Sequence, residues 1–330
     1  SITVITLAVA RTQLVEQRIL NNDSWITRLG LDAETGIAEA TDHTNKQLNG
    51  IAWSGSATTG AQRHSIKPAQ TDSAVTRTQM LLRTSPSERY IQVVAKTERN
   101  DGSGLRAVAS QFIRPLTALT PFAEDAPPLI INGCLTGTPR MLQLWPFSAD
   151  TGQAGKAMLT LRGSGCTAPA NSDFHKGLIE RRKLSGDLWS LVFSIERERF
   201  KSLSDQHRRL PQNQRRYWQV EKTDMLSGRW TRSLGTAQAP VAIYFPAAVG
   251  CPRFSPGLRL YGIVFIDGAC RRPLASRNTS VYGSLVANGP IDITGSELQV
   301  RHISVESAQF RYLRFPVLRS IAVPGTWADF

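Results

Sequence analysis

The chain has 330 residues, 41% of them hydrophobic and 20% charged, and a formal net charge of +13. With a mean hydropathy of −0.21, it is neither a disordered chain nor a multi-span membrane protein. Its length exceeds one mode-sized domain, so one large elaborated domain or two packed ones are expected.

From Ser1 to about Leu48 there is no proline and only Gly30 and Gly36. The apolar positions Leu14, Ile19, Trp25, Ile26, Leu29, Ile37 and Ala40 fit a 3.6-residue period loosely, which predicts one long helix. At 1.5 Å per residue such a helix is about 70 Å long, protrudes from its domain and packs into something else. Its first residues, Ile2 to Ala10, form an apolar stub ending at Arg11. Read alone, the stub is either the first turns of a buried helix or the surviving part of a membrane segment. The polar character of the helix that follows favours the second.

Residues 49–72 are rich in Ser, Thr, Gly and Gln and read as a loop. Thr76 to Thr84, Arg89 to Arg99 and Leu105 to Leu116 read as strands, with Asn100-Asp101-Gly102-Ser103-Gly104 as a hairpin turn, so an antiparallel sheet follows the helix. The proline-rich run from Pro115 to Pro128 marks an internal boundary. Beyond it come Gly-rich strands, one helix near 186–206 with a stripe of Leu188, Val192, Ile195 and Leu203, and an internal repeat. Tyr261-Gly262-Ile263-Val264-Phe265-Ile266-Asp267-Gly268 is echoed 21 positions later by Tyr282-Gly283-Ser284-Leu285-Val286-Ala287-Asn288-Gly289. A strand ended by Asp/Asn-Gly in each copy predicts stacked, solenoid-like rungs near 258–303, with neighbouring rungs from Ala242 to Pro246 and Ser296 to Ile303. The expected class is therefore α+β: a long helix over 1–48, an antiparallel sheet and linker over 49–128, and a β-rich region with rungs over 129–330.

Cys134, Cys166, Cys251 and Cys270 fall into two couples separated by 32 and 19 positions, with no C-x-x-C among them. Zinc is disfavoured, and the Gly-rich turns around each couple favour disulfides, and an oxidising compartment, over buried free thiols. No nucleophile-elbow, zinc-helix, phosphate-loop or EF-hand pattern occurs, and the five histidines are scattered, so no catalytic residue, metal or cofactor is expected. The charge is concentrated: residues 207–290 hold twelve Lys/Arg against Glu221, Asp224 and Asp267, or +9 of the +13. Arg208, Arg209, Arg215, Arg216 and Trp218 combine cations with a ring, a composition used to bind single-stranded nucleic acid. The alternative is that such pairs keep a β-rich surface soluble and its edges unpaired, and no readout motif accompanies them.

Four stretches in order resemble the minor pilins of bacterial type IV pili, of the PilX type. They are Arg11-Thr12-Gln13-Leu14-Val15-Glu16 with Asn21 and Ala33-Glu34-Thr35-Gly36; Ile131-Asn132-Gly133-Cys134 with Thr136-Gly137-Thr138-Pro139; Trp230-Thr231-Arg232-Ser233-Leu234-Gly235 through Tyr282-Gly283-Ser284; and Pro324-Gly325-Thr326-Trp327-Ala328-Asp329-Phe330. The family's mature start and the acidic residue beside it have no matching positions here, and Glu16 does not take that residue's place. The resemblance implies a non-enzymatic subunit whose helix sits in the inner membrane before assembly and in the pilus core afterwards, with a periplasmic head that becomes extracellular. It implies other minor pilins, the major pilin and a PilY-type tip adhesin as partners. Leu7, Leu14, Ile19 and Ile26 are the expected helix contacts, unless they pack on the chain's own sheet. A nucleic-acid-binding module using the 207–290 surface, with DNA as partner, is the alternative.

Overall fold

The computed structural model describes residues 2–47, 51–55, 62–68, 73–83, 90–124, 126–146, 155–161, 166, 168–184, 186–275, 277–303, 315 and 318–329. The chain divides into two compact units, Ser1–Leu116 with Val317–Phe330, and Thr117–Pro316. The last strands, expected within the carboxy-terminal region, thus belong to the first unit.

The first unit is a helix laid on an antiparallel sheet. Helix α1 runs from Ile2 to Gln47, close to the expected span. Strands β1 (Gln62–Ile66), β2 (Val75–Arg83), β3 (Ile91–Arg99) and β4 (Arg106–Leu116) follow in order, each antiparallel to the next. Arg319–Ala322 and Ala328–Asp329 both return to pair with β4. The three predicted strands and their hairpin match β2, β3 and β4. Strand β1 lies in the stretch read as a loop, because Gln62-Arg63-His64-Ser65-Ile66 has a single apolar residue and so carries no hydrophobic alternation.

Only the carboxyl half of α1 is anchored. Leu29, Ala33, Ile37, Ala40 and Thr44 recur every three or four residues, as one face of a helix must, and all are buried, with Ala33, Ile37 and Ala40 sharing a core with Leu81, Ile91, Val93, Ala95, Ala109 and Ile113. The backbones approach closely at Gly36, where an added Cβ would stand 2.9 Å from the Cβ of Ala95. Polar contacts fix the register. Arg77 on β2 binds Asp32 and, through Nη1 at 2.9 Å, Glu39, while Thr97 Oγ1 donates to the Leu29 carbonyl at 2.8 Å.

The second unit contains a ten-stranded parallel sheet of stacked rungs. Its strands are β5 (Leu129–Ile131), β6 (Leu135–Thr136, in a separate two-stranded pair), β7 (Met141–Trp145), β8 (Lys156–Thr160), β9 (Ser172–Asp173), β10 (Leu178–Arg181), β11 (Tyr217–Gln219), then β12 (Arg229–Trp230), β13 (Val241–Phe245), β14 (Arg253–Phe254), β15 (Arg259–Ile266), β16 (Thr279–Ala287), β17 (Ile291–Asp292) and β18 (Glu297–Arg301). Strands β11, β13, β15 and β16 stack in chain order, and β12 with β14 forms a second parallel pair. The predicted repeat is in register: Tyr261 lies beside Tyr282 and Gly262 beside Gly283. The rings of the two tyrosines stack at 4.4 Å. The turn residues that end three strands also form a ladder, with Asn132 Nδ2 donating to Asn288 Oδ1 and Asn288 Nδ2 donating to Asp267 Oδ1, both at 2.9 Å.

The rung beyond β16 is assembled from both ends of the unit. The first half of β16 pairs with β18 through Thr279–Tyr282, and its second half pairs with β5 through Leu285–Ala287. Rungs β7 and β8 then continue from β18 and β5 respectively.

The helix expected near 186–206 is two helices, α2 (Leu188–Val192) and α3 (Arg197–Arg208). The break has a tertiary cause. Phe193 is extended and bridges Leu119, and Ser194 bonds the Ala118 carbonyl through N–H at 2.9 Å and the Thr117 carbonyl through Oγ at 2.6 Å. Backbone pairing with residues 117–119 replaces helical hydrogen bonds that local periodicity would favour. Of the predicted stripe, Leu188, Val192 and Leu203 are buried, while Ile195 falls in the break between the helices and is half-buried. Both predicted disulfides are formed, Cys134–Cys166 and Cys251–Cys270, with Cα separations of 5.2 and 5.1 Å.

Candidate functional site

Two surfaces carry the predicted contact residues. The first is the amino half of α1. Residues from Val9 to Ser24 are exposed throughout, and the large apolar residues among them keep helical order. Val15, Ile19 and Ile26 extend the buried stripe of Leu29, Ala33 and Ile37 along the same side of the helix, beyond the sheet. Val9, Leu20 and Leu31 recur every eleven residues, about three turns, on the opposite side. Leu14, Ile19 and Ile26 are 59, 56 and 48% exposed, so they do not pack on the chain's own sheet. Leu7 lies on the helix, but its side chain falls outside the described residues. Trp25, between these positions, is half-buried with the Arg99 guanidinium 4.3 Å above its ring. Among the described residues no helix is long and apolar enough to cross a membrane.

The second surface is the arginine cluster at the end of α3. The structure gathers Arg208, Arg215 and Trp218 but consumes them. Trp218 is only 4% exposed and belongs to the main core of the unit. Its ring is held by the guanidinium groups of Arg208, Arg215 and Arg232 at 4.4, 5.2 and 5.9 Å. Arg208 Nη2 donates to Asp224 Oδ2 at 2.7 Å and to the Gln219 carbonyl at 2.6 Å. Arg215 Nε donates to the Leu210 carbonyl, and Arg216 Nη1 to the carbonyls of Asn213 and Arg215. Arg209 is exposed at the helix end. A ring buried under its own arginines offers no face to a base, which corrects the expected role of Trp218 as a stacking platform. The sequence placed the residues together but could not show that Trp218 points inward, because β11 is short and buried on both sides.

Asp224 is the hub that sequence reading missed as more than a charge. It accepts from Arg208, from Arg232 Nη1 at 3.1 Å and from the Glu221 N–H at 3.0 Å. Burial alone would raise its carboxyl pKa, but the bonds from Arg208, the Glu221 backbone and the nearby Arg232 charge outweigh it and hold the group below the ordinary 3.8. A depressed carboxyl contributes stability that is fully present above its unfolded value and is lost as pH falls through its folded value. Acid titration of the unit should therefore show a loss of stability below about pH 4. In Asp224→Asn that part of the acid dependence should shrink, while stability at neutral pH also falls because Arg208 and Arg232 lose the carboxylate they share. Unfolding midpoints at pH 3 to 7 measure both, and an unchanged acid slope would rule the linkage out.

No protein-family model and no curated protein matches the chain. Among solved structures it is similar to the crystal structure of the competence-associated pilin ComZ from Thermus thermophilus, with 7% identity and a TM-score of 0.27 over 92% of this chain and 97% of that one. A likeness this slight carries no weight against the packing and pairing described above.

Proposed function

We infer that this chain is a non-enzymatic pilin-like subunit of a bacterial type IV pilus, acting as a minor pilin. In this reading it helps prime assembly and takes its place in the tip complex with other minor pilins and a PilY-type adhesin. Its helix contacts those pilins and the major pilin. The head is periplasmic while the helix sits in the inner membrane, and extracellular once the pilus is built. One observation carries the reading: α1 is buried on its own sheet from Leu29 onward, with Trp25 beside Arg99 as the one earlier contact described above, while Leu14, Ile19, Leu20 and Ile26 are 59, 56, 68 and 48% exposed. A large apolar side chain gains about 1.5–3 kcal/mol when it passes from water into a packed contact, so a helix with several of them outward is suited to bury them against other helices. The motif order that resembles the PilX type supports the same assignment.

The test is Leu14→Asp with Ile19→Asp, introduced in the parent bacterium with the natural amino-terminal sequence in place. Both sites are more than half exposed, so the purified variant should unfold within about 0.5 kcal/mol of the parent chain. Pili per cell should fall severalfold. Normal piliation with a normally folded head would sink the assignment.

A further inference from the structure

One face of the solenoid is polar yet carries little net charge. On β15, β16, β18 and β7, Leu260, Val281, Val300 and Leu144 are fully buried in the core, so the residues on either side of each point outward. In-register pairing lines those residues up across the rungs. Tyr261 lies beside Tyr282, Tyr282 beside Arg301 and Arg301 beside Trp145, and His175, just past β9, stacks on Trp145 to complete the row. The adjacent row, two residues back along each strand, is Arg259, Ser280, Gln299, Gln143 and Asp173. The members of both rows are half-buried or exposed.

The first row is held rigidly. The Tyr261 and Tyr282 ring centroids are 4.4 Å apart, the Arg301 guanidinium lies 4.0 Å over the Trp145 ring, and the Trp145 and His175 rings are 4.3 Å apart. Stacking takes up the faces of these rings, so a ligand meets their rims and the tyrosine hydroxyls. The second row is uncommitted. The Asn132–Asn288–Asp267 ladder elsewhere in the same unit bonds to itself. By contrast, among the described residues no protein group bonds the side chains of Ser280, Gln299 and Gln143 or the hydroxyls of Tyr261 and Tyr282. Across the two rows Arg259 and Arg301 stand against Asp173, in a chain whose net charge is +13.

We propose that this face binds a neutral, linear, β-linked polysaccharide laid across the rungs, parallel to the solenoid axis. Sugar hydroxyls both donate and accept hydrogen bonds, as do the amide and hydroxyl groups of the two rows. These groups repeat once per rung, about every 4.8 Å, close to the length of one sugar in an extended chain, so five rungs serve about five sugars. A dense polyanion needs a run of uncompensated cations; here Asp173 offsets the arginines, and Arg301 is engaged with the Trp145 ring. The stacked row is ordered before any ligand arrives, which lowers the cost of binding. Asp173 is the only carboxylate on the two rows, so they lack the pair that glycoside hydrolysis uses, and the face holds a chain without cleaving it. The proposal does not rest on the pilin assignment and can hold or fail without it.

Isothermal titration calorimetry of the full chain with cellohexaose and with the hexamer of N-acetylglucosamine, both neutral and β-1,4-linked, tests it. At least one hexamer should bind saturably, with an affinity that changes by less than about twofold between about 50 and 200 mM salt. The matching disaccharide, which spans two rungs, should bind about tenfold or more weakly. Gln143→Ala with Gln299→Ala should weaken binding about tenfold, and Tyr261→Phe with Tyr282→Phe, which keeps the stack and removes only the hydroxyls, by a similar factor. An unchanged melting curve confirms that each variant keeps the fold, and if one does not, the other decides. Absence of binding by both hexamers at about 5 mM overturns the proposal, as does parental affinity in both variants. Maltohexaose, whose α-linkages coil the chain away from a straight row, overturns it by binding as tightly as the β-linked hexamers. An affinity that falls steeply with salt overturns it in favour of a charged ligand.

Discussion

Gly283→Ala is expected to unfold the solenoid unit while leaving the helix-and-sheet unit intact. Gly283 has φ of +138°, and a Cβ built on it would stand 1.9 Å from the carbonyl oxygen of Gly262 and 2.8 Å from its carbonyl carbon. Both atoms are backbone of the neighbouring rung, so no side chain can swing aside. Relief requires β15 and β16 to separate where they are paired continuously from Arg259–Ser280 to Ile266–Ala287. The backbone strain costs about 1–3 kcal/mol and the overpacking about as much again, giving a total of about 4 kcal/mol, a large share of a domain's stability. Because two units are present, a single global midpoint would mislead. Hydrogen exchange over residues 259–287 against residues 91–113 separates them, and protection should collapse only in the first segment. Ser284→Ala, next door, removes only the hydroxyl that donates to the Ala126 and Pro127 carbonyls and should cost about 1 kcal/mol. If Gly283→Ala were as mild as Ser284→Ala, the close approach of the two rungs would be refuted.

The second large effect belongs to the first unit. Gly36→Leu should lift α1 from its sheet, because its first side-chain atom already meets Ala95 Cβ at 2.9 Å and Arg77 Cδ at 3.3 Å. Displacing Arg77 also endangers its contacts with Asp32 and Glu39, which hold the helix on β2. The expected loss is about 2–4 kcal/mol. Gly30 is on the same helix with nothing within 4 Å of an added Cβ, so Gly30→Ala should stabilise the unit by up to about 1 kcal/mol, the ordinary helix-propensity difference. Thermal unfolding of the three chains should rank Gly30→Ala above the parent and Gly36→Leu well below it. Any other ranking would show that the helix does not meet the sheet at Gly36.

Much of this architecture was legible because it is written in periods that local physics enforces. The hairpin at Asn100–Gly104 and the 21-residue echo from Tyr261 to Tyr282 each predicted a pairing that occurs in register. The cysteine couples likewise paired as their turn context indicated. What escaped notice depended on distant partners. Strand β1 is recruited by β2 despite a polar sequence, the α2–α3 break follows from pairing with residues 117–119, and the final strands return to β4 across more than two hundred residues. At the two candidate surfaces, composition could not tell which side chains face outward. Leu14, Ile19 and Ile26 are exposed, whereas Trp218 turns into the core and its arginines close over it.

The rung shared between β5 and β18 sets an order of events for the newly made chain. Asn132 reaches its partner Asn288 across 156 positions, and such long loops close late. As the chain is made, amino end first, the strands from Leu129 to Arg181 emerge with no template beneath them and must wait for β16. The later strands β11 to β16 can stack as they arrive, each on its predecessor. Pulse-labelled chains stopped before β16 should therefore remain protease-sensitive over 129–181, and those that include β18 should become resistant there in one step.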